Sequence, residues 1–116
     1  VVGKRNNMSF VQYQMYNGAK YMVSDMIDMA KDVKAEYLEV KSLSLHYSLT
    51  DLPEPYYDLQ DVANTINVVN NADLNKPIIM YRGFVMDGKH RLTKAIMLKK
   101  KKIKVKIIDE LPEPKT

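Results

Sequence analysis

Pro77-Ile78-Ile79-Met80, the link Tyr81-Arg82-Gly83-Phe84-Val85 and the run Met86-Asp87-Gly88-Lys89-His90-Arg91-Leu92-Thr93-Lys94-Ala95-Ile96 decide the fold. The first four residues form an apolar, strand-like run opening on a proline, a position that a strand tolerates. The residues from Lys89 onward read as a helix. Gly88 stands at the junction, where a glycine lets the backbone approach a ligand closely. The first turn of a helix offers N–H groups with no intrahelical acceptor, and the positive end of the helix dipole. With His90 and Arg91 in that turn, the junction suits an anion, phosphate above all.

Working outward, Asp58 is placed to cap a helix whose apolar positions are Leu59, Val62, Ile66 and Val69. Asn70, Asn71 and Asp73 suit the turn that ends it. Beyond the junction helix, Lys99 to Lys102 form a basic run. Ile103-Lys104-Val105-Lys106-Ile107 then alternates, so one face of a strand packs and the other meets water. Upstream, Tyr37 to Leu45 reads as a strand. Its alternation shifts phase between Val40 and Leu43, which suggests a bulge near Lys41-Ser42. Leu49 to Tyr57 is a loop punctuated by Pro53 and Pro55. In the N-terminal part Met22, Met26, Ile27, Ala30 and Val33 recur at helical spacing, a stripe that normally packs into a core. Ser24 is the expected N-cap, with Asp25 and Asp28 toward the dipole's positive end. Gly18 is expected to separate an earlier short helix from this one.

The segment Asp87-Gly88-Lys89-His90-Arg91 followed by Ala95 resembles the Gly-x-[His/Arg]-Arg-x-x-x-Ala box of the ParB/sulfiredoxin superfamily. The expected element order agrees with it: a helix over 58–69, strands over 77–81 and 84–86, a helix over 89–98 and a strand over 103–108. The resemblance covers residues 36–109. It implies an α/β (α+β) fold, a small mixed sheet flanked by helices. An N-terminal helical extension over 1–35 and a flexible tail over 110–116 complete the expected organisation. In nucleotide-binding members the box holds phosphates, so the resemblance gives that role to Gly88, His90 and Arg91. The ligand it implies is a nucleoside di- or triphosphate with Mg2+.

The chain departs from each enzymatic branch of that superfamily. Sulfiredoxin chemistry needs a cysteine, and the chain has none. Partition proteins carry an acidic residue directly after the glycine; here it is Lys89. The serine-kinase-like branch uses a Glu in the loop after the first strand, and no Glu stands near His46. His46 and Asp51 are the nearest substitutes for a catalytic group there, with His90 as a third candidate. Turnover as a nucleotide hydrolase, phosphotransferase or nuclease is left open.

Read from chemistry alone, Arg91 presents a planar fork suited to two phosphate oxygens, or to a salt bridge with Asp61 or Asp87. His90 can donate to phosphate or exchange a proton near neutral pH. Asp87 is expected to cap the helix. Lys89 and Lys94 add point charges, and Lys94 lies one turn from His90. Ala95 is expected to pack against the sheet, and Arg82 to decorate a hairpin. The two histidines have no metal-ligand spacing.

Charge is uneven along the 116 residues. Residues 76–116 hold 12 Lys and Arg against 4 Asp and Glu, a net +8, whereas residues 1–75 hold 6 against 10, a net −4. A basic half that bears an anion motif favours a phosphate-rich partner. The alternative to a nucleotide is therefore DNA, or a nuclease-like phage or plasmid role. There Lys99, Lys100, Lys101, Lys102, Lys104 and Lys106 would form an electrostatic track along the backbone. No run of 18 apolar residues marks a membrane span, no signal-peptide pattern opens the chain, and the absence of cysteine suits a reducing compartment. A cytoplasmic location is the expectation.

Overall fold

The structure, a computed structural model, describes residues 12–43 and 59–115. The fold class is mixed α and β: the described residues form six strands in two sheets, with four helices. In chain order these are β1 (Tyr13–Tyr16), β2 (Ala19–Met22), α1 (Val23–Ala30), β3 (Glu36–Glu39), α2 (Val40–Leu43), α3 (Leu59–Asn70), β4 (Ile78–Tyr81), β5 (Phe84–Asp87), α4 (Lys89–Met97) and β6 (Lys102–Ile108). One sheet is the β1-β2 hairpin; the other has four strands in the order β3-β6-β4-β5. From α3 onward the helices and strands fall where the hydrophobic periodicity puts them. No helix among the described residues is long and apolar enough to cross a membrane.

The chain divides into two compact units. The first takes residues up to Lys34, Ile79–Asp87 and the chain from Lys106 on. Its core is Val23, Met26, Ala30, Ile79, Met86 and Ile108, with Tyr16, Tyr21, Tyr81 and Phe84 packed around it. Tyr16 meets Tyr81 and Phe84 edge-on, with ring centroids 5.5 and 5.4 Å apart, the arrangement that ring quadrupoles prefer. Both hairpins in this unit turn on two residues with positive φ: Asn17-Gly18 (50° and 81°) between β1 and β2, and Arg82-Gly83 (49° and 80°) between β4 and β5. Such turns match the twist of the flanking strands.

The residues before Gly18 are therefore a strand and not a short helix. Asn-Gly is a strong hairpin signal, and here it outweighs the helical spacing of the methionines and tyrosines. The hairpin also moves the start of α1. The N-cap is Met22 in extended conformation, not Ser24. β2 leads directly into the helix, and the Val23 N–H donates to the Gln12 carbonyl at 3.0 Å. Met26 and Ala30 are buried as the stripe predicts, whereas Ile27 is exposed. The segment after Ile108 is held at two points: Leu111 packs against the core, and the Lys115 N–H donates to the Lys20 carbonyl at 2.7 Å.

The second unit takes Ala35–Ile78 and Gly88–Val105. β3 pairs antiparallel with β6, Leu38 opposite Ile103 and Glu36 opposite Val105. The strand expected to run to Leu45 stops at Glu39, and the expected bulge is a helical turn. Val40 and Leu43 are both buried because three residues of separation return to one face of a helix. Within this unit α4 packs against α2 and α3. The inward line of α3 is Val62, Thr65 and Val69, so Leu59 and Ile66, expected in its stripe, are exposed. Asp58, expected to cap α3, lies outside the described residues.

Candidate phosphate site at the start of helix α4

Gly88 is the N-cap of α4, at φ 110° and ψ 22°. A Cβ built there would stand 2.5 Å from Ile78 Cγ2 and 3.2 Å from Ile78 Cα. Two constraints thus demand glycine, a backbone angle that L residues rarely adopt and a close approach to buried β4. The expected ligand approach is not what fixes this glycine; the seating of the helix on the strand suffices. Asp87 is not the cap. It is the last residue of β5, one place before the cap position.

The first turn of α4 carries Lys89, His90 and Arg91 and no acidic residue. His90 is exposed; Lys89 and Arg91 are half-buried. Thr93 Oγ1 donates to the Lys89 carbonyl at 2.9 Å, a bond back along the helix. Leu92 and Ala95 are buried and fix the helix's inner face, as expected for Ala95.

The larger cations have local employment. Arg91 Nη1 donates to the Pro77 carbonyl and, at 3.5 Å, to that of Lys76. Lys94 Nζ donates to the carbonyls of Asn70, at 2.8 Å, and Ala72, at 2.7 Å. Asn70 is the last residue of α3, so Lys94 acts as a side-chain cap on that helix's C-terminus, the end with negative partial charge. Lys104 Nζ donates to the Asn75 carbonyl at 3.2 Å. Three cations thus hold the connection between α3 and β4 by its carbonyls. In the first unit Lys106 does the same for α1, donating to Ala30 at 2.9 Å and Lys31 at 3.4 Å.

These bonds correct two expectations. Lys94 is not a bare point charge beside His90, and the lysine face of β6 does not simply meet water. Lys104 and Lys106 are half-buried, whereas Lys99, Lys100, Lys101 and Lys102 are exposed. The expected six-lysine track is therefore two groups with different surroundings. The carbonyls that hold the cations carry no side-chain signature, so no residue pattern announced them. His46 and Asp51 lie outside the described residues. Among the described residues, no group of three His, Asp or Glu side chains gathers where a metal ion could be held.

No protein-family model matches this chain, and no characterised protein or solved structure is similar to it.

Proposed function

We propose that the chain is a ParB-like domain that binds the phosphates of a nucleotide, or another phosphate ligand, at the start of α4. The observation that carries this reading is the first turn itself, which holds Lys89, His90 and Arg91 and no carboxylate. Helices favour acidic residues there, and each cation in that turn is unfavourable by roughly 0.3–1 kcal/mol against the dipole. Local rules broken without local compensation mark functional positions, and a bound anion reverses the sign of all three terms. The order β3, α3, β4, β5, α4, β6 around the box is the order the superfamily resemblance implies, and it supports the same assignment.

The side chains take different parts in this reading. His90, exposed at the helix start, donates to a phosphate oxygen. Arg91 holds Lys76 and Pro77 through Nη1 and so sets the turn's position, with its remaining N–H donors available to a ligand. Gly88 fixes where the helix begins. The test is titration of ATP, ADP and CTP against the wild type, His90→Ala and His90→Glu. His90→Glu is expected to raise stability by ~0.3–1 kcal/mol through the dipole and to abolish nucleotide binding. His90→Ala is expected to weaken binding by about tenfold, the scale of one charged hydrogen bond. Unchanged affinity in both variants rejects the site.

A further inference from the structure

The C-terminal end of α4 carries a second anomaly, unrelated to its start. Ile96, Met97 and Leu98 are 43, 55 and 54% exposed, three consecutive apolar side chains in water. Four exposed lysines, Lys99 to Lys102, follow without a break. Runs of three or more exposed apolar residues are unfavourable unless something covers them. The helix ends in a tight reversal: the Lys100 N–H donates to the Ala95 carbonyl at 2.9 Å and the Lys99 N–H to that of Ile96 at 3.0 Å. An apolar residue at Lys100's place would ordinarily fold back over the last turn. A lysine stands there instead, and the apolar tip is left uncovered.

We propose that this tip, Ile96–Leu98 with Lys99–Lys102, docks on the surface of an anionic phospholipid bilayer. The apolar side chains enter the boundary between headgroups and acyl chains while the ammonium groups meet the lipid phosphates and carboxylates. Apolar residues beside a lysine cluster are the composition of interfacial anchors. A nucleic acid satisfies the lysines but leaves Ile96, Met97 and Leu98 in water. A second copy of the chain covers the apolar residues but sets four lysines against four. An anionic bilayer is the partner that answers both. Nothing in this mode needs a spanning helix.

Co-sedimentation with phosphatidylcholine vesicles, with and without phosphatidylserine, tests the proposal at low and high salt. The full chain is expected to sediment with phosphatidylserine vesicles, less so at high salt, and not with phosphatidylcholine alone. Each surface lysine changes partitioning by roughly fivefold, so Lys100→Glu/Lys101→Glu is expected to weaken it at least ~20-fold. Met97→Ser/Leu98→Ser is expected to abolish it while the unfolding transition stays in place, since both side chains are exposed. Three results overturn the proposal: no sedimentation of the wild type, sedimentation unaffected by Met97→Ser/Leu98→Ser, or binding confined to a DNA duplex.

Discussion

Two groups of cations belong to the same stretch of chain and lead different lives. Arg91, Lys94 and Lys104 place their N–H donors on the carbonyls of residues 70–77. Lys99 to Lys102, between Lys94 and Lys104 in sequence, are exposed. The first group sits where a helix end or a connection presents acceptors to a half-buried side chain. The second follows the last turn of α4, whose carbonyls are already taken by backbone N–H groups at Leu98, Lys99 and Lys100. A lysine is drawn inward where unsatisfied carbonyls lie within reach of its stem, and stays in water where the backbone has satisfied them. The contrast has a functional consequence. The net charge of the C-terminal half overstates the donors available to a partner, because the inward cations keep their charge but commit their hydrogen bonds.

The largest effect is expected where the first group's framework begins. Gly88→Ala sets a methyl against Ile78 and forces an unfavourable backbone angle, and is expected to destabilise the chain by roughly 2–4 kcal/mol. Chemical denaturation measures this directly. A loss below that of an ordinary surface substitution means that α4 is not seated on β4 as described.

The sharpest test of the contrast replaces one lysine of each group by methionine, which keeps the stem and removes the charge. Lys94→Met removes two hydrogen bonds to carbonyls and is expected to cost about 1.5–3 kcal/mol. Lys101→Met is expected to leave the unfolding midpoint where it is. Equal effects in the two variants erase the distinction between the groups. Arg91→Ala belongs with Lys94→Met in size; because it disturbs Lys76 and Pro77, it is a poorer probe of ligand binding than a change at His90.

Lys106→Met extends the comparison to the first unit. Its ammonium closes the C-terminus of α1 at Ala30 and Lys31, and its loss is expected to cost ~1–2 kcal/mol. Hydrogen exchange is the right readout, since the added opening should concentrate in α1 and spare α3. Uniform loss of protection through both helices breaks the assignment of Lys106 to one of them.

How far the chain announced this arrangement depends on distance along the sequence. The apolar run Ile78-Ile79-Met80, the glycine at the junction and the alternation Ile103, Val105 speak through neighbours, and the elements they imply are in place. The Asn17-Gly18 turn was equally local, but methionine and tyrosine spacing competed with it and favoured a helix. Val40 and Leu43 were ambiguous because a bulge and a helical turn both shift an alternating pattern by one place. The destinations of the lysines were not legible at all. Lys106 finds its acceptor 76 positions away and Lys94 finds its own 24 away, at carbonyls that every residue possesses. Site chemistry was legible only as residue types in one turn. Whether Arg91 faces a ligand or a backbone was decided by where β4 begins.

The smallest expected effect separates strain from charge within the exposed group. Lys99 is at φ 57°, the left-handed position that closes α4, where glycine is the usual occupant. A lysine there is disfavoured by about 1 kcal/mol because its Cβ crowds the following carbonyl. Lys99→Gly is therefore expected to raise stability by ~1 kcal/mol, less whatever is lost through glycine's greater freedom in the unfolded chain. Lys99→Asn, which tolerates the same angle without that freedom, isolates the conformational part. Lys101→Gly, at a position with no positive φ, is expected to give no such gain. If Lys99 and Lys101 respond alike, the exposed run is uniform and the reversal after α4 places no special demand on its first lysine. If only Lys99 responds, the chain keeps a strained lysine where a glycine fits better, and that lysine's charge is what the position has retained.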